Sequence, residues 1–376
     1  MAGLFSSIKS RLQKRGHVDY AVLFTAIALT AFGLLMLFSA SFYYGQNRFG
    51  DGYYYVKRQL VGVVVGFVAM FLLANFDYRR WLKLWKPIYA AGLLLMCLVW
   101  VPGLGVTRNS ASRWFVIPGI NLSVQPAELA KYALIIAVAA LVVRFGHERM
   151  QSFRRGIVPI LMLMAPLAVL LLLQPNFSML VSLAVACFAM LVMSGMRWLQ
   201  IGVLFGAGLG VGSALMFARG YREDRVSGFL DPWNDPAAHQ LRQSLIAFGS
   251  GGIWGQGLGA SRQKFLFLPY GESDMIFAII AEELGLVGAA MLVLVYVFLF
   301  TRCYRIAMRC PDVGGSLLAA GCTTLLAIQT VINMGVATGL MPTTGQTLPF
   351  ISFGSTSIVV CLAVIGLILN ISRSCN

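Results

Sequence analysis

Ten almost uncharged stretches dominate this 376-residue chain, and each is close to the length that a helix needs to cross a bilayer. They cover residues 20–41, 59–76, 85–101, 127–145, 157–173, 177–194, 199–217, 275–301, 315–340 and 355–372. Only 11% of the residues are charged, whereas soluble domains contain about 25%. The sequence therefore predicts an all-α integral membrane protein, a polytopic bundle of about ten transmembrane helices.

The basic residues set the expected orientation of these helices. Lys and Arg gather in the N-terminal tail and in the links after spans two, four, six and eight. Because cytoplasmic loops carry an excess of these residues, both tails, residues 1–19 and 373–376, are expected in the cytoplasm. The net charge of +15 is then a topology signal and a source of contacts with membrane lipids, so no nucleic-acid partner is expected.

Cysteine and histidine form no pattern that would indicate a disulfide or a metal site. The seven Cys lie in predicted spans or on the inner side, so disulfides are not expected. The three His residues are scattered along the chain. The sequence assigns no cofactor, and a divalent cation, Mg²⁺ or Mn²⁺, stays open as an alternative.

Two outer loops are long enough to carry a function. The first, residues 102–126, is rich in Gly and Pro. The second, residues 218–274, is a large extracytoplasmic loop between spans 7 and 8, and loops beyond about 15 residues are usually functional or disordered. Its many apolar residues argue against disorder, and AAHQLRQSLIAFGSGG has helical spacing followed by glycines. We expect a short interfacial helix here; a structured cap over the bundle is the alternative.

Two pairs of charged residues within the predicted spans are candidates for a structural or functional role. Glu128 and Lys131 are three residues apart, so they share one helix face and can pair. Such a pair either stabilises the bundle or belongs to a functional site, which is the default for charges inside a membrane. Glu282 and Glu283 are adjacent and point about 100° apart on a helix. One of them is expected to be a structural counter-charge to a basic residue.

Asp274 stands where the large outer loop meets the eighth span. An acid at this boundary, partly desolvated and near the cations Arg262 and Lys264, can be tuned as a general base. The alternative is a helix cap, because in ESDMIFA either Ser273 or Asp274 could accept hydrogen bonds from exposed amides.

A second polar segment, residues 339–357, lies between spans nine and ten. Its Gly, Pro and hydroxyl residues prevent a continuous helix. Non-helical backbone at this depth is tolerated only when it is buried in protein or lines a cavity. The segment is therefore expected to re-enter the bundle beside a polar pocket.

Four long motifs resemble the signatures of the shape, elongation, division and sporulation (SEDS) proteins. They are QPAELAKYAL, RVSGFLDPWNDP followed by QLRQSLIAFGSGGIWGQGLGASRQKFLFLP, SDMIFAIIAEELGLVG, and GLMPTTGQTLPFISFGSTS. They occur in the family's order, and the resemblance covers essentially all ten spans, so residues 1–376 are identified as a single SEDS-type membrane domain. GLGASRQKFLFLP and TTGQTLPFISFG are more similar to the division branch, FtsW, than to the elongation branch, RodA.

The resemblance implies a peptidoglycan glycosyltransferase that polymerises glycan strands from lipid II at the outer face of the bacterial inner membrane. The implied setting is septal cell-wall synthesis during cell division. The family's essential aspartate maps onto Asp274, and its paired charges map onto Glu128 and Lys131. Inverting glycosyl transfer needs one base opposite the leaving group, and Asp274 is expected to be that base.

Basic residues of the outer loops are the expected ligands of the pyrophosphate leaving group, together with the buried pair. Arg113, Arg262 and Lys264 are the main candidates because each lies in a loop expected to approach Asp274. Arg222 and Arg225 rank lower, because the acids between them could neutralise them.

Two other functions stay open from the sequence. A lipid II flippase or other transporter suits ten spans with a central ion pair, and a scaffold would only recruit the cell-wall transpeptidase. Clustering of reactive groups on one side favours the enzyme. The resemblance implies as partners lipid II, the polyprenyl-linked glycan strand, a class B penicillin-binding protein transpeptidase and other divisome membrane proteins.

Overall fold

The computed structural model describes residues 16–108, 111–117, 122–217 and 220–374, which form a helical bundle. Its helices are α1 (Tyr20–Phe49), α2 (Tyr54–Asn75), α3 (Tyr78–Lys83), α4 (Trp85–Cys97), α5 (Pro126–Met150), α6 (Val158–Leu173), α7 (Phe177–Met193), α8 (Trp198–Phe217), α9 (Gly220–Leu230), α10 (His239–Gly251), α11 (Ile276–Arg309), α12 (Val313–Ala337) and α13 (Ser355–Ser372). Each of the ten predicted spans coincides with one of these helices.

Seven of the described helices are long and apolar enough to cross a membrane. They are Tyr20–Phe49, Tyr54–Asn75, Pro126–Met150, Phe153–Leu173, Ile276–Arg309, Val313–Ala337 and Ser355–Ser372. The other three spans correspond to shorter apolar helices, Trp85–Trp100, Phe177–Met193 and Trp198–Ala214. The predicted class, a multi-pass helical membrane protein, is confirmed.

The centre of the bundle is formed by α12 and α13. In each of them 78% of the most apolar stretch is buried, against 28% in α2 and α11. A helix that is apolar all round and mostly buried belongs in the middle of a bundle. In the non-helical segment between α12 and α13, residues 346 and 348–352 are buried, as expected for backbone without helical hydrogen bonds, whereas Leu340 and Gly345 are exposed.

The first outer loop contains a small sheet that the sequence did not predict. Strands β1 (Gly105–Arg108), β2 (Ala111–Ile117) and β3 (Leu122–Val124) pair antiparallel in the order β1-β2-β3. Val106 lies opposite Trp114, and Phe115 lies opposite Val124. This sheet matters because β2 carries Arg113.

The second outer loop is also structured. The predicted helix is present as α10, which ends at Gly252 with a positive φ of 56°, and a further helix, α9, precedes it. The glycine-rich turn after α10 packs against a kink in α11 at Gly285, where φ is +69°. A Cβ atom on Gly285 would lie 2.3 Å from the backbone nitrogen of Gly255, so only glycine permits this close approach.

Candidate active site

Asp274 directly precedes α11 and lies beside the non-helical segment between α12 and α13. Its side chain is partly exposed, and its carboxylate accepts no hydrogen bond from the residues that the structure describes. The first turn of α11 has no side-chain cap, and Ser273 donates to the carbonyl of Tyr270 instead. The capping alternative for this pair is therefore wrong, and the Asp274 carboxylate remains available for chemistry.

Arg113 reaches the same place from β2. Its Nε donates to the carbonyl of Gln174 at 3.0 Å, and its Nη2 donates to the carbonyl of Pro175. Its remaining nitrogen, Nη1, lies nearest Gly345: a Cβ atom on that glycine would be 3.8 Å from Nη1 and 3.5 Å from Oδ2 of Asp274. The two carbonyls therefore orient the guanidinium toward the carboxylate.

Arg225 on α9 is the second cation of the site. Its Nη1 donates to the carbonyl of Thr343 at 2.8 Å, which ties α9 to the segment between α12 and α13. The sequence had ranked this residue below Arg262 and Lys264. The formation of α9 places Arg225 beside residues 341–345, and together they line one cavity.

A cavity of about 270 Å³ is lined by Arg113 and Arg225, whereas Asp274 is not among its lining residues. Its polar walls include Arg113, Arg225 and Thr344, and Gly345 lies at its edge beside Asp274. Its other walls are mostly apolar: Phe177 and Val181 from α7, Val226 from α9, Ile328 and Ile332 from α12, and Met341 from the segment after α12. The cavity thus combines cations with an apolar lining, which suits the charged end of a lipid-linked substrate.

Burial, and to a smaller extent the nearby charge of Glu272, raise the pKa of the Asp274 carboxyl to about 7. Arg225 and Arg113 act in the opposite direction but do not cancel the effect. The pKa of Glu272 is itself raised by burial. A carboxyl with a pKa near neutrality is well matched to general-base catalysis, because it is deprotonated in part yet still basic.

Glu128 and Lys131 form the predicted ion pair at 2.7 Å on α5. Their side chains are only 4% and 2% exposed. Lys131 also donates to Oε1 of Gln329 on α12 at 2.9 Å. The pairing is confirmed, whereas contact of either residue with substrate stays a prediction, because neither side chain faces the cavity.

Glu282 and Glu283 both have structural partners. Lys264 pairs with Glu283 at 3.1 Å, and Ser39 donates to the same carboxylate at 2.6 Å. Glu282 accepts from the backbone nitrogens of Arg262 at 3.0 Å and Gln263 at 3.3 Å. The expected counter-charge role is confirmed for Glu283, and Glu282 anchors the glycine-rich turn.

The two cations of this turn are placed differently from Arg113. Lys264 has a side chain only 8% exposed and is held by Glu283. The side chain of Arg262 is exposed and forms no hydrogen bond or ion pair with the described residues. Neither side chain lines the cavity, so their binding of pyrophosphate stays a prediction.

Among the described residues, no group of three or more His, Cys, Asp or Glu side chains is arranged to hold a metal ion. Sequence reasoning also missed Gln329 and Asn333, two buried amides on α12. Their four-residue spacing in an otherwise apolar span was the available signal, because it places two polar side chains on one face of the helix.

A family profile described as cell cycle protein, covering FtsW, RodA and SpoVE, matches residues 20–376. The chain belongs to this FtsW/RodA/SpoVE family. It is 39% identical to a probable peptidoglycan glycosyltransferase FtsW from Geobacter metallireducens over 97% of both chains. It is 37% identical to stage V sporulation protein E of Bacillus subtilis, over 96% of this chain and 98% of that protein.

Solved structures of the FtsW/RodA/SpoVE family share the fold. A chain from a peptidoglycan synthase complex that coordinates polymerization and crosslinking matches with a TM-score of 0.77 and 30% identity, covering 95% of this chain and 98% of that one. Rod shape determining protein RodA from Thermus thermophilus matches with a TM-score of 0.70 and 29% identity, covering 95% and 97%. The family assignment therefore rests on both sequence and fold.

Proposed function

We propose that this chain is a peptidoglycan glycosyltransferase that polymerises glycan strands from lipid II, with Asp274 as the general base of an inverting transfer. One observation carries the proposal: a desolvated carboxylate and an arginine held by backbone carbonyls meet at Gly345 beside a mostly apolar cavity. The names of the FtsW relatives support the same activity.

The reaction assigns a separate task to each group. The acceptor sugar's hydroxyl oxygen attacks the anomeric carbon of the donor, and its proton passes to the carboxylate of Asp274. The bond from the anomeric carbon to the pyrophosphate breaks, and its electron pair leaves with the polyprenyl pyrophosphate. Attack from the face opposite the leaving group inverts the anomeric centre.

Arg113 and Arg225 are suited to stabilise that leaving group. Negative charge builds on the pyrophosphate oxygens as the bond breaks, and preorganised cations lower the energy of this state most effectively. Both guanidiniums are already oriented by backbone carbonyls, so little reorganisation is required. Arg262, which is exposed in the neighbouring turn, remains a candidate for an outer contact with substrate.

The setting follows from the same proposal. We place both termini in the cytoplasm, the cavity at the outer face of the inner membrane, and the protein at the division septum. A class B penicillin-binding protein would crosslink the strands, in line with the coordination of polymerization and crosslinking in the similar synthase complex. Lipid II, the growing strand and other divisome membrane proteins are the remaining partners.

The test is an assay of the purified protein on labelled lipid II in detergent, with and without a class B transpeptidase. The proposal predicts polymeric glycan that is lost on Asp274→Asn. A matched liposome assay measures lipid II movement between leaflets. If no polymer forms with or without the transpeptidase, but lipid II moves between leaflets, the proposal is overturned in favour of a flippase. If polymer and movement are both absent, a scaffold is favoured.

A further inference from the structure

Two buried amides on α12 bind adjacent carbonyls of the non-helical segment. Gln329 and Asn333 are 3% and 1% exposed, and their four-residue spacing places them on one face of the helix. Nε2 of Gln329 donates to the carbonyl of Thr347 at 3.1 Å. Nδ2 of Asn333 donates to the carbonyl of Gln346 at 2.7 Å. Successive turns of α12 therefore fix residues 346 and 347.

The amide of Asn333 also holds Asp274. The same Nδ2 donates to the backbone carbonyl of Asp274 at 2.8 Å. The two preceding carbonyls are bound as well, since Ser352 Oγ donates to Ser273 at 2.5 Å and the Phe353 nitrogen donates to Glu272 at 3.0 Å. Three consecutive carbonyls thus place the backbone of Asp274 relative to α12 and its following segment.

The other end of this network is the buried ion pair. Lys131 Nζ lies 2.7 Å from Oε2 of Glu128 and donates to Oε1 of Gln329 at 2.9 Å. An ammonium group can only donate hydrogen bonds, so it must meet the oxygen of the Gln329 amide. The amide nitrogen is thereby directed to Thr347. The lysine thus sets the orientation of the Gln329 amide and of its hydrogen bond to Thr347.

We propose that Gln329 and Asn333 are positioning residues: Gln329 links the buried Glu128–Lys131 pair to Thr347, and Asn333, four residues further along the same helix, holds Gln346 and the catalytic aspartate in register with it. The inference rests on the proposed function and assigns the pair a role without substrate contact. A buried charge needs permanent partners, and one partner of Lys131, Gln329, in turn binds Thr347 in the segment that carries Gly345. The pair then contributes to activity by fixing the position of other residues and not by binding substrate.

The network predicts a specific kinetic effect. Gln329→Met removes both links of the amide at similar volume. Because misplacement of a catalytic group by about 1 Å can cost about 100-fold in rate, we expect kcat for polymerisation to fall at least about tenfold. The KM for lipid II should change less than about twofold, because the substitution removes no contact with the bound substrate.

A measurement without substrate separates this inference from the proposed function. Hydrogen–deuterium exchange of the purified protein reports the amides of residues 342–353 directly. Gln329→Met should accelerate their exchange, whereas the matched control Thr330→Val should not. Thr330 is buried on the next position of α12, and its hydroxyl binds only the Leu326 carbonyl of its own helix.

Three results would overturn the inference. These are unchanged exchange in residues 342–353, an unchanged kcat in a protein whose wild type polymerises lipid II, or an effect confined to KM, which would make the pair a substrate ligand. If Gln329→Met does not fold, Asn333→Leu gives the same readouts, since it removes both carbonyl contacts of that amide. A wild type without polymerase activity would contradict the proposed function, and exchange would still decide on the network.

Discussion

Asp274 and Arg113 border one small space beside Gly345. A Cβ atom on that glycine would lie 3.5 Å from Oδ2 of the aspartate and 3.8 Å from Nη1 of the arginine. A base and a cation therefore flank a space that is open because Gly345 has no side chain. Inverting glycosyl transfer requires this combination, because one site must accept the proton of the attacking hydroxyl and stabilise the negative charge of the leaving group.

Gly345→Ala tests whether this space receives the reacting groups. Distances of 3.5 and 3.8 Å are ordinary van der Waals contacts, so alanine should be tolerated in the fold. We expect a normal melting temperature but a loss of polymerisation of about tenfold or more, because the methyl group displaces substrate from its aligned position. Gly206→Ala is the control, since no atom lies within 4 Å of its added Cβ. Equal activity of the two variants would exclude this space as the reaction site.

The second prediction concerns the arginines. Arg113 uses Nε and Nη2 for anchoring and presents Nη1 to the site, a division of tasks that a lysine cannot reproduce. Arg113→Lys and Arg225→Lys should each lower polymerisation about tenfold or more, by the loss of charge stabilisation in the transition state. Arg242→Lys is the control, because that arginine binds the Trp233 carbonyl outside the cavity. Full activity of both site variants would leave the pyrophosphate to other ligands.

Sequence patterns predicted the apolar helices because those features are local, and they singled out Asp274, whose role as the base stays a prediction. An apolar run of about 20 residues can hardly be anything but a spanning helix, and an acid at its start is conspicuous. The same local reasoning failed for Arg225. Its neighbours in the sequence, Glu223 and Asp224, suggested neutralisation, but Arg225 on α9 donates to the Thr343 carbonyl and lines the cavity.

Lys264 shows how a tertiary contact places a side chain in a way that the sequence does not indicate. Its position ten residues before Asp274 suggested proximity to the base. The intervening chain instead folds back on α11, where Glu282 binds the backbone of the turn and Glu283 takes the ammonium. The pairing depends on the contact of Gly255 with Gly285, a tertiary feature with no local signature. The β1–β3 sheet was missed for a similar reason, because its strands have only four, seven and three residues.

The Lys264–Glu283 pair provides a third prediction. Glu283 has a side chain with no exposed surface, so Lys264→Met would leave a buried charge without its counter-ion. Such a loss typically costs about 3 to 5 kcal/mol, and a lower melting temperature is expected. The double variant Lys264→Met/Glu283→Met should recover most of this loss. A single variant with normal melting but weaker lipid II binding would instead assign Lys264 to the substrate.

The fourth prediction concerns pH. The base must be deprotonated to work, and the pKa of Asp274 is raised to about 7, mainly by burial and then by Glu272. Polymerisation should therefore fall as pH drops below about 7 and level off above it. Glu272→Gln removes a negative neighbour, which lowers the pKa of Asp274 and moves the acid limb to lower pH. An acid limb that stays in place would show that Glu272 does not act on the base.

The most direct test of Asp274 as the base is the initial rate of lipid II polymerisation by Asp274→Asn. This change preserves shape and removes the proton acceptor, and losing a general base typically lowers the rate about 10²- to 10⁴-fold. Asp51→Asn is the control, since Asp51 forms an exposed pair with Lys57 away from the cavity. We predict a rate below about one hundredth of wild type for Asp274→Asn, with normal expression and melting temperature. A rate above about one tenth of wild type would contradict the assignment.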